Sequence, residues 1–228
     1  MFKLLVTGSN GQLGRAVNKL YEGNKEIELV NTDVAELDIT NLEQTLEFVE
    51  QVKPYAIINC AAHTGVDACE TDIDNAYKIN ALGPRNLSIA ASKVGAKMVQ
   101  ISTDYVFSGD ADKPYTEFDE PAPQGVYGKS KLAGELFVKQ FADKFFIIRT
   151  AWLYGDGKNF VKTMLRLAET NDKVRVVSDQ YGSPTSTKEL AKIIDKLLWT
   201  ENYGTYHGTC EGSCSWADFA KEIFRLAG

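Results

Sequence analysis

A glycine-rich loop near the start of the chain is the feature that most constrains the fold. Gly8, Gly11 and Gly14 follow an apolar run at residues 3–7 and open a segment with helical spacing, residues 12–21. Glycines at such positions allow a tight turn, close approach of the backbone to a pyrophosphate, and close packing of helix on strand. The helix N-terminus offers free N–H groups to an anion. The G-x-x-G-x-x-G spacing is weak evidence alone, but its place after a strand favours a dinucleotide site over a glycine-rich turn without a ligand.

The following residues repeat the alternation of strand and helix. Short apolar runs lie at residues 28–31, 56–59, 97–102 and 145–149. Segments with helical spacing lie between them, from residue 42 to Pro54 and at 74–94 and 129–141. Nearly uniform apolar runs are typical of strands buried on both faces, and the alternation is typical of βαβ units. We therefore predict an α/β fold, a Rossmann-like doubly wound parallel sheet with a small C-terminal substrate-binding region.

The pattern loosens after Thr150, which predicts a division into two domains. Residues 1–150 are expected to form an NAD(P)-binding Rossmann domain, and residues 151–228 a mixed α/β region that binds substrate. In the second region we expect helices at 159–169, at 187–199 and from Trp216 on, with a strand at 174–177. Trp216 is interpreted as a core residue of the last helix.

Composition and charge exclude several classes of function. A formal net charge of −6 over 228 residues argues against the basic face that binds nucleic acids. No run reaches the roughly 18 apolar residues that span a bilayer, and the apolar start is too short for a signal peptide. The four cysteines lack the spacing of a zinc site, so reduced thiols are expected. We predict a cytoplasmic monomer or homodimer that binds neither nucleic acid nor membrane.

Residues that suit a cofactor follow the predicted strands. In an open parallel sheet, ligands bind outside the carboxyl ends of the strands. Asp33 follows the second strand, where a carboxylate can accept from both ribose hydroxyls of NAD; it would repel a 2′-phosphate and so favours NADH over NADPH. The alternative is a solvated loop aspartate. Asp38 and Ile39 are candidates for flanking adenine, and the small residues Ala61 and Ala62 would let a cofactor lie against the backbone.

Tyr127 and Lys131 are the candidates for acid–base chemistry. They are four residues apart at the head of a predicted helix, so both project from one face. A phenol titrates near pH 10, and a neighbouring ammonium stabilises the phenolate and lowers its pKa. Thr103, at the end of the fourth strand, could hydrogen-bond the same substrate oxygen. The Y-x-x-x-K spacing is common by chance, and its combination with the glycine loop and Thr103 is what favours a catalytic set.

Longer motifs in a fixed order carry a resemblance over essentially the whole chain. They are VTGSNGQLGR (6–15), LDIT (37–40), INCAAHTGVDACE (58–70), ISTDYVFSG (101–109), VYGKSKLAGE (126–135), RTAWLYG (149–155), NFVKTMLRLA (159–168) and DQYGSPT (179–185). These stretches resemble the extended short-chain dehydrogenase/reductases and, among them, the dTDP-4-dehydrorhamnose reductase family. STDYVF, RTAWLYG and DQYGSPT are the most specific of them.

The resemblance implies an NAD(P)H-dependent reduction of dTDP-4-dehydro-L-rhamnose to dTDP-L-rhamnose. Tyr127 would give a proton to the C4 oxygen as hydride reaches C4. Lys131 would lower the Tyr127 pKa and hold the nicotinamide ribose, and Thr103 would hydrogen-bond the sugar oxygen. The implied cofactor positions are Gly8, Asn10, Gly11, Gln12, Gly14, Asp33, Asp38, Ile39, Ala61, Ala62, His63, Ile101, Tyr127 and Lys131. The implied substrate positions are Thr103, Asp104 and Trp152.

The resemblance also leaves alternatives open. Some members of the family depend on Mg²⁺, and no motif here assigns it a residue. Members usually continue beyond the helix that ends this sequence, with part of the substrate lobe, so the chain as given is expected to lack that tail. The same scaffold serves epimerases and dehydratases that hold NAD tightly, and non-catalytic cofactor-binding regulatory subunits.

Overall fold

The computed structural model describes residues 1–228 and has one large sheet with helices on both faces. The strands are β1 Phe2–Thr7, β2 Ile27–Thr32, β3 Ala56–Asn59, β4 Lys97–Thr103, β5 Phe145–Thr150, β6 Leu153–Tyr154, β7 Tyr181–Gly182, β8 Thr185–Ser186, β9 Gly204–His207 and β10 Cys214–Ser215. The α-helices are α1 Gln12–Tyr21, α2 Leu42–Val52, α3 Val66–Thr71, α4 Ile73–Tyr77, α5 Gly83–Val94, α6 Val126–Phe141, α7 Phe160–Ala168, α8 Thr187–Leu198 and α9 Trp216–Ala227. None of these helices is long and apolar enough to span a membrane.

Six strands form the large sheet in the order β2-β1-β3-β4-β5-β9, and every neighbouring pair is parallel. The order reverses at β1, since β2 lies on one side of it and β3, β4 and β5 follow on the other. Such a reversal is the topological switch point where open α/β sheets bind ligands. The predicted α/β class with a Rossmann-like parallel sheet is confirmed.

The two faces of the sheet support two separate hydrophobic cores. Successive strand side chains point to opposite faces, so Leu4 packs in one core and Leu5 in the other. The first core joins the sheet to α1 and α8, and the second joins it to α2, α5 and α6. This burial fixes the positions of α1 and α6 against the sheet, and therefore the positions of the residues at their N-termini.

The chain after β5 has a looser architecture. Four of its five strands form two two-stranded sheets, β6 with β8 and β7 with β10, and each of these strands is two residues long. Its helices α7 and α9 pack around a small apolar cluster of Met164, Ala220 and Ile223. The same segment also returns β9 to the large sheet and α8 to its face. The division at residue 150 stays a prediction.

The structure differs from the sequence prediction at three places. The strand at 174–177 is wrong: the segment has no strand partner, and Val174 and Val176 pack on the apolar cluster of α7 and α9. Strand β9 was not predicted, because GTYH has no apolar run and owes its conformation to pairing with β5. The predicted helix at 74–94 is continuous but contains a π-helical turn, Lys78–Leu82, which ends two residues before Pro84. Proline removes a backbone donor, and the wider turn accommodates that loss.

Candidate active site

The glycine loop connects β1 to α1 at the switch point. Gly8 has φ +64°, and a Cβ at this position would lie 2.7 Å from the backbone of Ala61 at the end of β3. Only glycine allows both this conformation and this approach. The loop is therefore packed directly on the end of the neighbouring strand, and α1 begins beside it without a side-chain cap and without an acidic residue in its first turn.

The predicted cofactor residues around the loop have defined partners. The carboxylate of Asp33 accepts a hydrogen bond of 2.9 Å from the backbone N–H of Asn10, which ties the end of β2 to the loop. The side chain of Gln12 accepts from Asn159 at 3.0 Å, at the start of α7. Asp38 accepts from the backbone and hydroxyl of Thr40. Of these contacts, the bond between Asp33 and Asn10 joins two predicted positions at one edge of the sheet, and the bond of Gln12 connects that edge to α7.

Ile39 has a different environment from its neighbour Asp38. Its side chain is buried in the second hydrophobic core, and its carbonyl accepts from Asn86 at 2.9 Å. Because the side chain of Ile39 is packed in the core, only the backbone of this residue could contact a cofactor. Its predicted contact with adenine stays a prediction.

The segment after β3 is held by a residue that the sequence did not identify. Asn80, in the π-helical turn, accepts from the backbone N–H of His63 at 2.8 Å and donates to its carbonyl at 3.0 Å. It also donates to Ser130 of α6 at 3.0 Å. The backbone of residues 61–63 is thus fixed to the helix that carries Tyr127 and Lys131. The signal available in the sequence was only an asparagine inside an apolar helix, which does not specify these partners.

Cys69 and Asp72 flank the ring of His63 in an arrangement that resembles a nucleophilic triad. The Cys69 Sγ lies 3.4 Å from Nδ1, and Asp72 Oδ2 lies 3.6 Å from Nε2. Burial, with Asp72 and Glu70 nearby, raises the pKa of the Cys69 thiol. A thiolate is the reactive form, so this cysteine is not an activated nucleophile. All four cysteines are free thiols.

Helix α6 presents Tyr127 in its first turn and Lys131 one turn later. The helix lies close to the turn after β4, since a Cβ at Gly128 would lie 2.1 Å from the carbonyl oxygen of Tyr105. The Lys131 Nζ donates to the Ile101 carbonyl at 2.6 Å, two residues before Thr103 on β4. The ends of β3 and β4 and the start of α6 therefore meet beside the glycine loop.

Burial controls the ionisation of both residues. It lowers the pKa of Lys131 to about 8, although Glu135 and Cys60 oppose this change. It raises the pKa of Tyr127, with Thr103 opposing and Asp104 adding to the increase. The net change in the Tyr127 pKa is therefore opposite to the predicted lowering, because burial is its largest cause; the effect of Lys131 on the phenolate stays a prediction. The phenol is neutral at pH 7.

Thr103 and Asp104 form a polar pair next to Tyr127. The Thr103 hydroxyl donates to Asp104 at 2.9 Å and accepts from the backbone N–H of Tyr105 at 3.2 Å. Burial raises the pKa of the Asp104 carboxyl. The pair offers a hydroxyl and a carboxyl group for hydrogen bonding beside Tyr127, at the end of β4, the strand that neighbours β5.

Trp152 lies just after β5 in a left-handed backbone conformation, φ +47°. Its indole stacks on Trp216 of α9 with ring centroids 3.5 Å apart and an interplanar angle of 9°. A Cβ at Gly182 would come within 2.4 Å of the indole, so the glycine of the DQYGSPT stretch makes room for it. The side chain is thus fixed by an aromatic neighbour and a glycine from separate parts of the chain. Among residues 1–228, no group of three or more His, Cys, Asp or Glu side chains could hold a metal ion.

The model of the RmlD substrate binding domain family matches residues 2–228. The chain belongs to the RmlD family. The predicted membership of the dTDP-4-dehydrorhamnose reductases, and with it the prediction of an NAD(P)H-dependent oxidoreductase, is confirmed.

Relatives of this RmlD-family chain are similar over its whole length. It is 43% identical to a dTDP-4-dehydrorhamnose reductase of Aggregatibacter actinomycetemcomitans, covering 98% of this chain and 79% of that protein. A crystal structure of a dTDP-4-dehydrorhamnose reductase from Clostridium acetobutylicum has a TM-score of 0.98 and 58% identity, over 100% of this chain and 81% of that one. The Bacillus anthracis dTDP-4-dehydrorhamnose reductase, solved in complex with NADP, has a TM-score of 0.95 and 50% identity over the same shares.

The sequence analysis of this RmlD-family chain also did not predict a buried ion pair between α6 and β5. Glu135 accepts two hydrogen bonds from Arg149, at 3.0 and 2.7 Å, and one from Ser102 at 2.5 Å. Glu135 lies one turn after Lys131, and this spacing was visible in the sequence. Its partners come from β4 and β5, so only the packed sheet brings them together.

Proposed function

We propose that this chain reduces the C4 keto group of dTDP-4-dehydro-L-rhamnose to give dTDP-L-rhamnose, with NADH or NADPH as hydride donor and Tyr127 as proton donor. Its close relatives are named dTDP-4-dehydrorhamnose reductases, and one of them binds NADP. The observation that carries the proposal is the position of Tyr127 and Lys131, one turn apart at the ends of β3 and β4 beside the glycine loop. A phenol and an amine there would face a dinucleotide at the switch point.

The residues around the loop fit a dinucleotide. The uncapped N-terminus of α1, with no acidic residue in its first turn, offers its free N–H groups and partial positive charge to a pyrophosphate. Gly8 and Gly11 would let the phosphates approach the backbone, and Asp33 would accept from ribose hydroxyls. Bound there, the reduced nicotinamide supplies the hydride. Ala62 and His63 would line the same cleft with their backbone.

Tyr127 would hold its proton at the C4 oxygen until the carbonyl is reduced. Because burial keeps the phenol neutral at pH 7, it begins the reaction as a donor. The proton moves from the phenol to the oxygen that becomes the C4 hydroxyl, and the phenolate left behind is stabilised by the Lys131 ammonium. Thr103 would hydrogen-bond the same oxygen once its hydroxyl turns from Asp104.

The substrate would lie between this acid and the region after β5. Asp104 would bind sugar hydroxyls, and the half-buried Trp152 indole would contact the sugar nucleotide. Residues 1–150 would then supply the cofactor side of the cleft and residues 151–228 the substrate side. We further propose a cytoplasmic monomer or homodimer whose small-molecule partner is the dTDP-sugar.

Replacing the proposed acid tests this mechanism. Tyr127→Phe removes the proton and keeps the ring, so turnover of dTDP-4-dehydro-L-rhamnose should fall about 10²- to 10⁴-fold. The measurement is the loss of nicotinamide absorbance of NADH or NADPH. Tyr77→Phe, on the exposed face of α4, is the matched control and should keep the wild-type rate.

Three other outcomes would contradict parts of the proposal. Wild-type turnover by Tyr127→Phe would rule out this residue as the acid. Protein that purifies with tightly bound NAD and converts sugar nucleotides without net oxidation of NADH would be an epimerase or dehydratase. Cofactor binding without conversion of any sugar nucleotide would favour a regulatory subunit.

A further inference from the structure

Helix α6 begins without a capping side chain of its own. Its N-cap residue is Gly125, and its first turn contains no acidic residue. Four other helices, by contrast, begin at a side chain that accepts a backbone N–H three residues later. These residues are Asn41 of α2, Asn159 of α7, Ser186 of α8 and Ser215 of α9. The first N–H groups of a helix need partners, so α6 depends on another part of the chain for one of them.

Glu70 of α3 supplies that partner. Its Oε1 accepts the backbone N–H of Val126 at 2.8 Å, across 56 residues of sequence. The same oxygen lies 2.8 Å from the position that a Cβ would occupy at Gly125. A carboxylate at a helix N-terminus is also favoured by the helix dipole. The next residue along the helix is Tyr127.

Helix α3 is attached at its other side to the predicted cofactor segment. Cys69, the residue before Glu70, is fully buried and contacts both the ring and the carbonyl of His63. The carbonyl and N–H of His63 are in turn bonded to Asn80. Helix α3 therefore connects the backbone of residues 61–63 to the first turn of α6.

We propose that Glu70 is a positioning residue, whose carboxylate holds the first turn of α6 and thereby the Tyr127 phenol relative to the cofactor segment. This proposal rests on the proposed function of Tyr127. Lys131 lies one turn further into the helix and has its own bond to Ile101, so loss of the Glu70 contact would displace the phenol more than the amine. Displacing a reacting group by about 1 Å can reduce a rate on the order of 100-fold.

Steady-state kinetics of Glu70→Ala test the proposal. We expect kcat to fall about tenfold, because a displacement of the phenol by less than about 1 Å is enough for such a loss, with KM for NADH unchanged. Glu70→Gln keeps an acceptor oxygen and should restore most of kcat. A structural role of Glu70 alone would not predict this rescue or the separation of kcat from KM.

Gly125→Ala gives an independent perturbation of the same contact. Alanine suits the backbone conformation of Gly125, and its methyl group would displace the carboxylate from Val126. We expect a similar decrease in kcat, and no further decrease in the Glu70→Ala, Gly125→Ala double variant, since both remove one interaction.

Asn41→Ala is the matched control, because it removes the cap of α2, which carries no proposed catalytic group. Its melting temperature should fall as much as that of Glu70→Ala, with kcat unchanged. An unchanged kcat in Glu70→Ala, or a decrease that Glu70→Gln shares in full, would overturn the positioning role. Failure of the proposed function is recognised separately, by wild-type turnover of Tyr127→Phe.

Discussion

The cofactor edge of the sheet and the region after β5 are held in place by different interactions. At the cofactor edge, Gly8 and Ala61 follow β1 and β3, which pair residue by residue through Thr7 and Asn59. After β5, four of the five strands are only two residues long and Trp152 is held by its stack on Trp216. Backbone register positions the first region, whereas side-chain packing positions the second. A substitution should therefore affect the two regions in different ways.

Gly8→Ala is the change that should break the cofactor edge most severely. The new Cβ would lie 2.7 Å from the Ala61 backbone, in a conformation that favours glycine. Relief of this strain and overpacking would shift the loop from the position in which it holds the pyrophosphate, so we expect NADH affinity to fall about 100-fold. Fluorescence titration with NADH measures it, and Gly23→Ala, also at positive φ but in open space, is the control. Unchanged affinity in Gly8→Ala would contradict a cofactor site at this loop.

Trp216→Leu should have a smaller effect, confined to the substrate side. Loss of an aromatic stack is worth roughly 1 kcal/mol beyond the buried area, so KM for the sugar nucleotide should rise about five- to tenfold while KM for NADH is unchanged. Kinetics with each substrate varied in turn provide the measurement. Trp199→Leu, which removes a tryptophan stacked on Tyr55 at the opposite edge of the sheet, should change neither KM. Equal increases in both KM values would show that the two sides are not held independently.

The last expected effect, at Lys131, is on stability alone and takes the form of a pH dependence. Burial lowers its pKa from 10.5 to about 8. Below pH 8 the lysine is charged in both states and the folded chain bears the full cost of burying the charge. Between pH 8 and 10 the unfolded chain binds more protons, so the free energy of unfolding rises. Denaturant unfolding at several pH values should show this rise relative to Lys131→Met, and parallel curves for the two proteins would exclude it.

The fold was predictable from the sequence at the cofactor edge of the sheet and less so in the region after β5. The boundaries of β3 and α1 agree with the apolar run at 56–59 and the helical spacing at 12–21, since both elements bury most of their apolar residues against the sheet. Strand β9 contains one aromatic residue among polar neighbours and becomes a strand only through β5. Residues 174–177 have the composition of a strand and lack a partner. The local pattern of apolar residues therefore predicts an element where its apolar residues are uniformly buried. It fails where pairing with another strand decides whether a segment becomes a strand.

The candidate site was predictable to a similar extent. Thr103, Tyr127 and Lys131 occur at strand and helix ends that the topology brings together, so the prediction needed only the order of elements. Asn80 and Glu70 act through hydrogen bonds to distant backbone groups, and such partners leave no trace in residue spacing. The direction of the Tyr127 pKa was missed because burial is a property of the packed structure.

Strand β9 also has a consequence for how the chain is made. It pairs with β5 although 53 residues lie between Thr150 and Gly204, and no other strand pairs with β5 on that side. As the polypeptide leaves the ribosome, the first five strands of the sheet are complete well before β9 emerges. During that interval the backbone of β5 is an open edge, able to pair with another nascent chain. The short polar strand GTYH then covers β5 and becomes the edge itself, and a short polar edge strand is a poorer template for aggregation than the apolar β5.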